Sequence, residues 1–213
     1  MRGPFVGKNI VLGVTGSIAA YKTVELASYF TQKGARVSVL MTEAATKFVS
    51  PLTFKSITHQ PVISDLFENG PENGIAHVDL AHDADLIIVA PATANTIAKL
   101  AYGFADDPIS VVALATTAPM LIAPAMDGAM WSKDATRDNV DVLRSRGAMF
   151  ASPQEGHLAS GLVGWGRFAT VDEIIGRASV LLGRNGDLAG QRIVVTAGGT
   201  REPIDPVRII TNR

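Results

Sequence analysis

Short, dense apolar runs alternate along the chain with longer stretches whose apolar positions recur every three or four residues. The runs at 9–14, 36–41, 86–90 and 120–123 are rich in Val, Ile, Leu and Met and read as strands buried on both faces. Between the first two, Ala20, Val24, Ala27 and Phe30 share one face of a helix predicted over 17–33, and Gly34 suits its end. Thr42 is placed to cap a short helix over 43–48. Helices are also predicted over 94–103, 107–116 and 133–145, with a short strand at 149–151. Residues 51–84 are less regular and include a turn-rich tract at 69–74. The alternation predicts an α/β fold: a doubly wound parallel sheet, helices on both faces, and ligands outside the carboxyl ends of the strands.

The most informative loop follows the third long strand. Pro91, Ala92, Thr93, Ala94, Asn95 and Thr96 join that strand to a helix. Thr93, Asn95 and Thr96 put compact hydrogen-bonding groups at the helix start, where free N–H groups meet an anion or the edge of a heterocycle. The first loop, with Gly13, Gly16 and Ser17, lacks a full Gly-x-Gly-x-x-Gly, and the second strand ends on Met41 and Thr42 with no acid for a ribose. Taken alone, Gly16 and Ser17 fit a single phosphate or simply a tight turn with a helix cap. Together with the 91–96 loop, phosphate binding is the better reading.

Composition narrows the class. The chain has 213 residues, 47% hydrophobic and 18% charged, with a net charge of −1. That supplies ample core and gives no general attraction to nucleic acid or anionic membrane. The absence of cysteine excludes disulfides and thiolate metal sites and fits the cytoplasm. No long apolar segment reads as a leader or a membrane span. Four scattered histidines, His59, His77, His82 and His157, give no persuasive metal spacing, so no metal is expected. Near Gly183 the composition shifts. The expected organisation is a domain over 1–183, a linker over 184–190, and over 191–213 the truncated start of a second domain, with a fresh strand and glycine turn at 191–199.

Gly16–Ser17–Ile18, the 91–96 loop, Pro124-Ala-Met-Asp-Gly-Ala-Met-Trp131 and Leu158-Ala-Ser-Gly161 follow, in order, the signatures of a known group. The chain resembles the flavin-dependent cysteine decarboxylases, most closely the phosphopantothenoylcysteine decarboxylase half of the bifunctional coenzyme A biosynthesis proteins. The tail from Thr196 to Arg208 resembles the start of their phosphopantothenate–cysteine ligase domain. The resemblance implies a Rossmann-like flavoprotein fold and FMN as cofactor. Gly16, Ser17 and Ile18 match one flavin loop, Thr42, Glu43 and Ala44 a second, Thr93, Ala94, Asn95 and Thr96 a third, and Ala125 a further contact. His77 matches the active-site histidine, and imidazole exchanges protons near neutral pH. Met130, Asp127 and His157 match substrate positions, although core packing is the ordinary reading of Met130 and Trp131. The glycine-rich stretch with Gly156, Gly161, Gly164 and Gly166 matches a movable cover.

The implied reaction converts 4′-phosphopantothenoyl-L-cysteine to 4′-phosphopantetheine, through a thioaldehyde that accepts the electron pair released with carbon dioxide. FMN takes up two electrons and returns them. The implied assembly is a homo-oligomer built from trimers, up to a dodecamer, with flavin near subunit contacts. No ligase activity is expected from the tail. Two residues depart from the pattern. Asp127 stands where an asparagine amide would donate to a substrate carboxylate, so it must be protonated, contact another group, or be screened by a cation. Ser160 stands in the place of a proton-donating cysteine, and its hydroxyl is a far weaker acid. A peptide-cysteine decarboxylase, a flavin prenyltransferase and a non-enzymatic flavin-binding regulatory subunit are the rival readings.

Overall fold

A computed structural model describes residues 3–66, 76–184, 186, 189–199 and 201–211. The turn-rich tract at 69–74 lies outside them, as does part of the expected linker.

The chain begins with β1 (Asn9–Val14), a 3-10 turn at Ile18–Lys22, α1 (Thr23–Gln32), β2 (Arg36–Met41), α2 (Glu43–Thr46), α3 (Pro51–Thr58) and β3 (Val62–Ile63). Next come α4 (Ala76–Asp83), β4 (Leu86–Ala92), α5 (Ala94–Tyr102), α6 (Pro108–Ala115), β5 (Met120–Pro124), α7 (Gly128–Trp131), α8 (Asp134–Ser145) and β6 (Met149–Phe150). A hairpin of β7 (Gln154–His157) and β8 (Val163–Arg167) precedes α9 (Val171–Gly183), and β9 (Arg201–Pro203) pairs with β10 (Ile209–Thr211) in the tail.

β1 to β6 form one parallel sheet in the order β3-β2-β1-β4-β5-β6. The order reverses direction between β1 and β4, and that switch point opens a crevice at the carboxyl ends of the strands. Successive residues of a strand face opposite sides, and the core divides accordingly. Leu12, Val14, Leu86 and Ile88 join Leu26 and Phe30 of α1 and Ile174 of α9 on one face. Val11, Ile87 and Val89 join Ile97 of α5, and Ile109 and Val112 of α6, on the other. β4 is buried along its whole length, which is why it reads as a continuous apolar run rather than an alternating one.

The predicted α/β class and the long strands agree with this architecture, and several boundaries are corrected. The helix expected over 17–33 starts as a 3-10 turn capped by Ser17, whose side chain accepts from Ala19 N–H. The strand expected to stop at Ala90 runs through Pro91 to Ala92, because beyond an irregularity after Val89 Ala92 pairs with Pro124 of β5. The short α7 and the buried-faced α9 were not foreseen. No strand forms over 191–199: Ile193, Val194 and Val195 are exposed and have no sheet edge beside them, so apolar β-formers alone do not make a strand there.

Phe30 is fully buried, with its ring 5.0 Å from that of Phe5. Phe30→Ala is expected to lower unfolding free energy by roughly 3–5 kcal/mol, read as a shifted denaturant midpoint with an unchanged slope.

Candidate active site

Four loops leave the carboxyl ends of β1, β2, β4 and β5 and meet over the switch point. Each is followed by a helix start with a polar cap: Ser17, Thr42 for α2, Thr93 for α5 and Asp127 for α7. Such residues at N-caps satisfy one backbone donor and leave others pointing into the crevice.

One buried side chain ties two of these loops together. Thr15, 1% exposed, donates its hydroxyl proton to the Pro91 carbonyl (2.7 Å) and accepts from Thr93 N–H (3.1 Å). The β1 and β4 loops are thus fixed to each other at the switch point. Gly16 brings the β2 loop in as well, since a Cβ there would fall inside the Ala44 methyl. Thr15 drew no attention in the sequence, because a threonine after a strand has no motif of its own.

Two adjoining cavities result, of about 650 Å3 and 920 Å3, within the range of ligand and cofactor sites. Gly16, Thr93, Ala94 and Met130 line both. The first also takes in Ser17, Ile18, Ala125, Asp127, His157 and Ser160. The second takes in Thr42, Glu43, Ala44, Asn95 and Thr96. Every residue expected to hold cofactor or substrate therefore lies on one cavity or the other. Thr96 is 2% exposed, and its N–H and hydroxyl engage Thr93 Oγ1 at 3.3 and 3.1 Å. It secures the helix start rather than offering free groups to a ligand.

His77 is placed differently. It sits on α4, which packs against α6, and lines neither cavity. His59 and His82 are exposed, and His59 closes α3 in a left-handed conformation. Met130 is 48% exposed, which corrects its core-packing reading, whereas Trp131 packs against the core beneath α8.

The floor of the second cavity carries a fixed charge cluster the sequence reading missed. Lys99 pairs with Asp106 at 2.6 Å and Asp107 at 2.9 Å, and Asp107 also caps α6 through Ile109 and Ser110 N–H. Burial works against the Lys99 charge, but the two carboxylates outweigh it and raise its pKa.

The two departures from the family pattern touch each other. Asp127 Oδ1 accepts from Ala129 N–H (2.9 Å), and its Oδ2 accepts from the Ser160 hydroxyl (2.9 Å). The backbone bond first, and Ser160 second, hold the carboxyl below the ordinary aspartate range. The lowered pKa favours the ionised carboxylate, and of the ways Asp127 can be accommodated the structure shows contact with another group, the Ser160 hydroxyl. The bond joins the β7–β8 hairpin to the β5 loop. The same joint is closed at its base, where Met126 N–H donates to the Gly166 carbonyl (3.1 Å) and a Cβ on Gly128 would lie 2.7 Å from the Trp165 carbonyl. The expected cover is thus a hairpin, seated on the cavity by its own backbone. Among the described residues no cluster of three or more His, Asp or Glu could hold a metal.

The comparisons with known proteins agree with this geometry. Residues 3–180 match the Flavoprotein family, and 188–213 match the DNA/pantothenate metabolism flavoprotein C-terminal domain. The chain belongs to the Flavoprotein family. It is 47% identical over 208 residues to the coenzyme A biosynthesis bifunctional protein CoaBC of Bacillus subtilis, covering 97% of this chain and 51% of that protein. It is 45% identical over 206 residues to the Escherichia coli K12 protein of the same name, again covering 97% and 51%. The chain thus spans about half the length of the curated relatives it matches. Among solved structures, the FMN-dependent cysteine decarboxylase SpaF superposes with a TM-score of 0.72 at 30% identity, over 84% of this chain and 98% of that one. A PPC decarboxylase mutant complexed with pantothenoylaminoethenethiol gives 0.73 at 27% identity, over 82% and 97%.

Thr15→Val keeps the shape but strips both loops of their shared partner. It is expected to cost about 1–3 kcal/mol of stability for each buried group left unpaired, and to weaken flavin retention, read by denaturant unfolding and bound-flavin absorbance. Because the Asp127 carboxyl is depressed, the hairpin contact persists at neutral pH and is lost only as pH falls through that lowered value. Ser160→Ala should move the Asp127 midpoint upward in an NMR carboxyl titration; an unmoved midpoint would show that the hydroxyl contributes nothing.

Proposed function

We propose that this chain is an FMN-dependent decarboxylase that converts 4′-phosphopantothenoyl-L-cysteine to 4′-phosphopantetheine. The observation that carries this reading is the convergence of four capped loops on two adjoining cavities that share Gly16, Thr93, Ala94 and Met130. The 47% identity to a coenzyme A biosynthesis protein supports the choice of substrate.

The site fits a flat phosphorylated cofactor. The absence of a side chain at Gly16 lets the β1 and β2 loops close together, and the starts of the 3-10 turn, α2 and α5 present backbone donors to a phosphate. Gly16, Ser17 and Ile18, with Thr42, Glu43 and Ala44, would wall one side. Thr93, Ala94, Asn95, Thr96 and Ala125 would wall the other. FMN bound there supplies a reversible two-electron acceptor for the carbon bearing the thiol.

The chain's own groups have separable tasks. The hairpin walls one side of the first cavity, seated on Met126 and Gly128. Met130 and His157 border the space left for substrate. Ser160, whose proton is directed at Asp127, is a poor final acid, so the last proton reaches the product by water or another group. His77 acts as the base at the cysteine-derived end. Since it lines neither cavity of its own chain, this role calls for a second copy, in keeping with a homo-oligomer of trimers or a dodecamer with flavin near subunit contacts. The decarboxylase unit spans 1–183 and is joined through 184–190 to residues 191–213, which belong to a ligase domain. No helix among the described residues is long and apolar enough to cross a membrane, and a cytoplasmic setting suits the substrate.

Purified yellow protein given phosphopantothenoylcysteine should release carbon dioxide and yield the thiol product by mass. Flavin binding without product would overturn this reading and leave the peptide-cysteine decarboxylase, flavin prenyltransferase and regulatory readings. His77→Asn should retain flavin while losing about two or more orders of magnitude of turnover; unchanged turnover would remove His77 from the reaction.

A further inference from the structure

The first cavity holds two cations that the proposed chemistry has not used. Lys22 ends the 3-10 turn and Arg167 ends β8 of the hairpin, and both line this cavity. Lys22 is half-buried, its Nζ 5.9 Å from the centre of the Tyr21 ring and 6.0 Å from that of Phe168. Aromatic faces attract a cation without neutralising it. Arg167 lies across the neighbouring strand: a Cβ on Gly156 would meet its Cδ at 2.9 Å and its Nη1 at 3.1 Å. That glycine leaves the space in which the guanidinium rests.

Among the described residues neither cation forms a salt bridge. Asp127 is the acid on the wall of this cavity, and its two oxygens are taken by Ala129 and Ser160. The cavity is therefore cationic in balance, whereas the second carries Glu43, Asp65, Asp106 and Asp107 against Lys99. A half-buried lysine and an exposed guanidinium lodged against Gly156, neither with a carboxylate of its own, favour an incoming anion.

We infer that Lys22 and Arg167 form a phosphate-monoester subsite that holds the phosphorylated end of the substrate. This rests on the function proposed above and adds how its substrate is recognised. The substrate's other anion, its carboxylate, is a poor match for the pair. A carboxylate that leaves as carbon dioxide loses its charge in the reaction, so cations beside it would stabilise the ground state over the transition state. A phosphate monoester is unchanged throughout, and its binding can be strong without opposing the chemistry. Lysine supplies a point charge and arginine a two-pronged donor, the combination that suits a tetrahedral dianion.

The test uses the FMN-loaded protein and calorimetric binding of two ligands that differ only in the phosphate, 4′-phosphopantetheine and pantetheine. The native protein should favour the phosphorylated ligand by roughly ten- to a hundredfold. Lys22→Met and Arg167→Met should each erase most of that preference without altering pantetheine binding, and Lys22→Arg should retain it. Equal binding of the two ligands by the native protein, or a preference that survives both methionine variants, overturns the subsite. Loss of bound flavin in the variants would assign the pair to the cofactor's phosphate and likewise overturn it. If native protein shows the preference, and the variants lose it, while no carbon dioxide is released from phosphopantothenoylcysteine, the subsite stands and the decarboxylase reading falls.

Discussion

The Thr15 hydroxyl, donating to the Pro91 carbonyl and accepting from Thr93 N–H, holds the crevice in shape. A doubly wound sheet guarantees that loops gather where the strand order reverses, but it does not set their spacing. Here one buried side chain with a donor and an acceptor spans β1 and β4, the central pair of the sheet. The caps on the following helices aim their free amides into a space whose width that bond defines. Gly16 adds the third wall by permitting contact with Ala44.

On the opposite side of the first cavity the restraint comes from outside the sheet. The β7–β8 hairpin is fastened to the β5 loop at its base by backbone and near its tip by Ser160 on Asp127. Each of these two residues looks defective when compared singly with the related pattern. As a pair they exchange a hydrogen bond, and an ionised carboxylate accepting a hydroxyl is stable at neutral pH without a buried charge partner. The pairing also removes the carboxylate from competition for Lys22 and Arg167, leaving that wall positive.

Much of the fold was legible because the strands at 9–14, 36–41 and 86–90 are buried on both faces and carry unbroken apolar runs. The helices at 94–103 and 107–116 begin on clear polar caps. What escaped notice was set by tertiary contact. Residues 191–199 have strand-like composition yet find no partner edge; α9, by contrast, carries local signals of its own, with Thr170 as cap, Asp172 and Glu173 in the first turn, and Ile174, Ala178 and Leu181 on one buried face. At the site, motif positions single out residues that line the two cavities, since the loops that carry them leave the strand ends. The Asp127–Ser160 bond spans 33 positions, and the Thr15 bridge joins segments 76 apart; no local pattern encodes either. Nor could spacing place His77, which the fold puts on a helix away from both cavities of its own chain.

The glycines at 128 and 166 give the hairpin an unusual property. A methyl at Gly128 would press on the Trp165 carbonyl, and one at Gly166, whose φ is +133°, on the Met126 carbonyl. With both surfaces in backbone contact, the hairpin base and the β5 loop behave as a single laminated plate. Breathing of the cavity mouth is then left to the tip between His157 and Val163, which the Leu158 and Leu162 backbone bond at 2.8 Å shapes and the Ser160 bond to Asp127 tethers. Library mutagenesis aimed at widening ligand scope should therefore spare the plate and vary the tip.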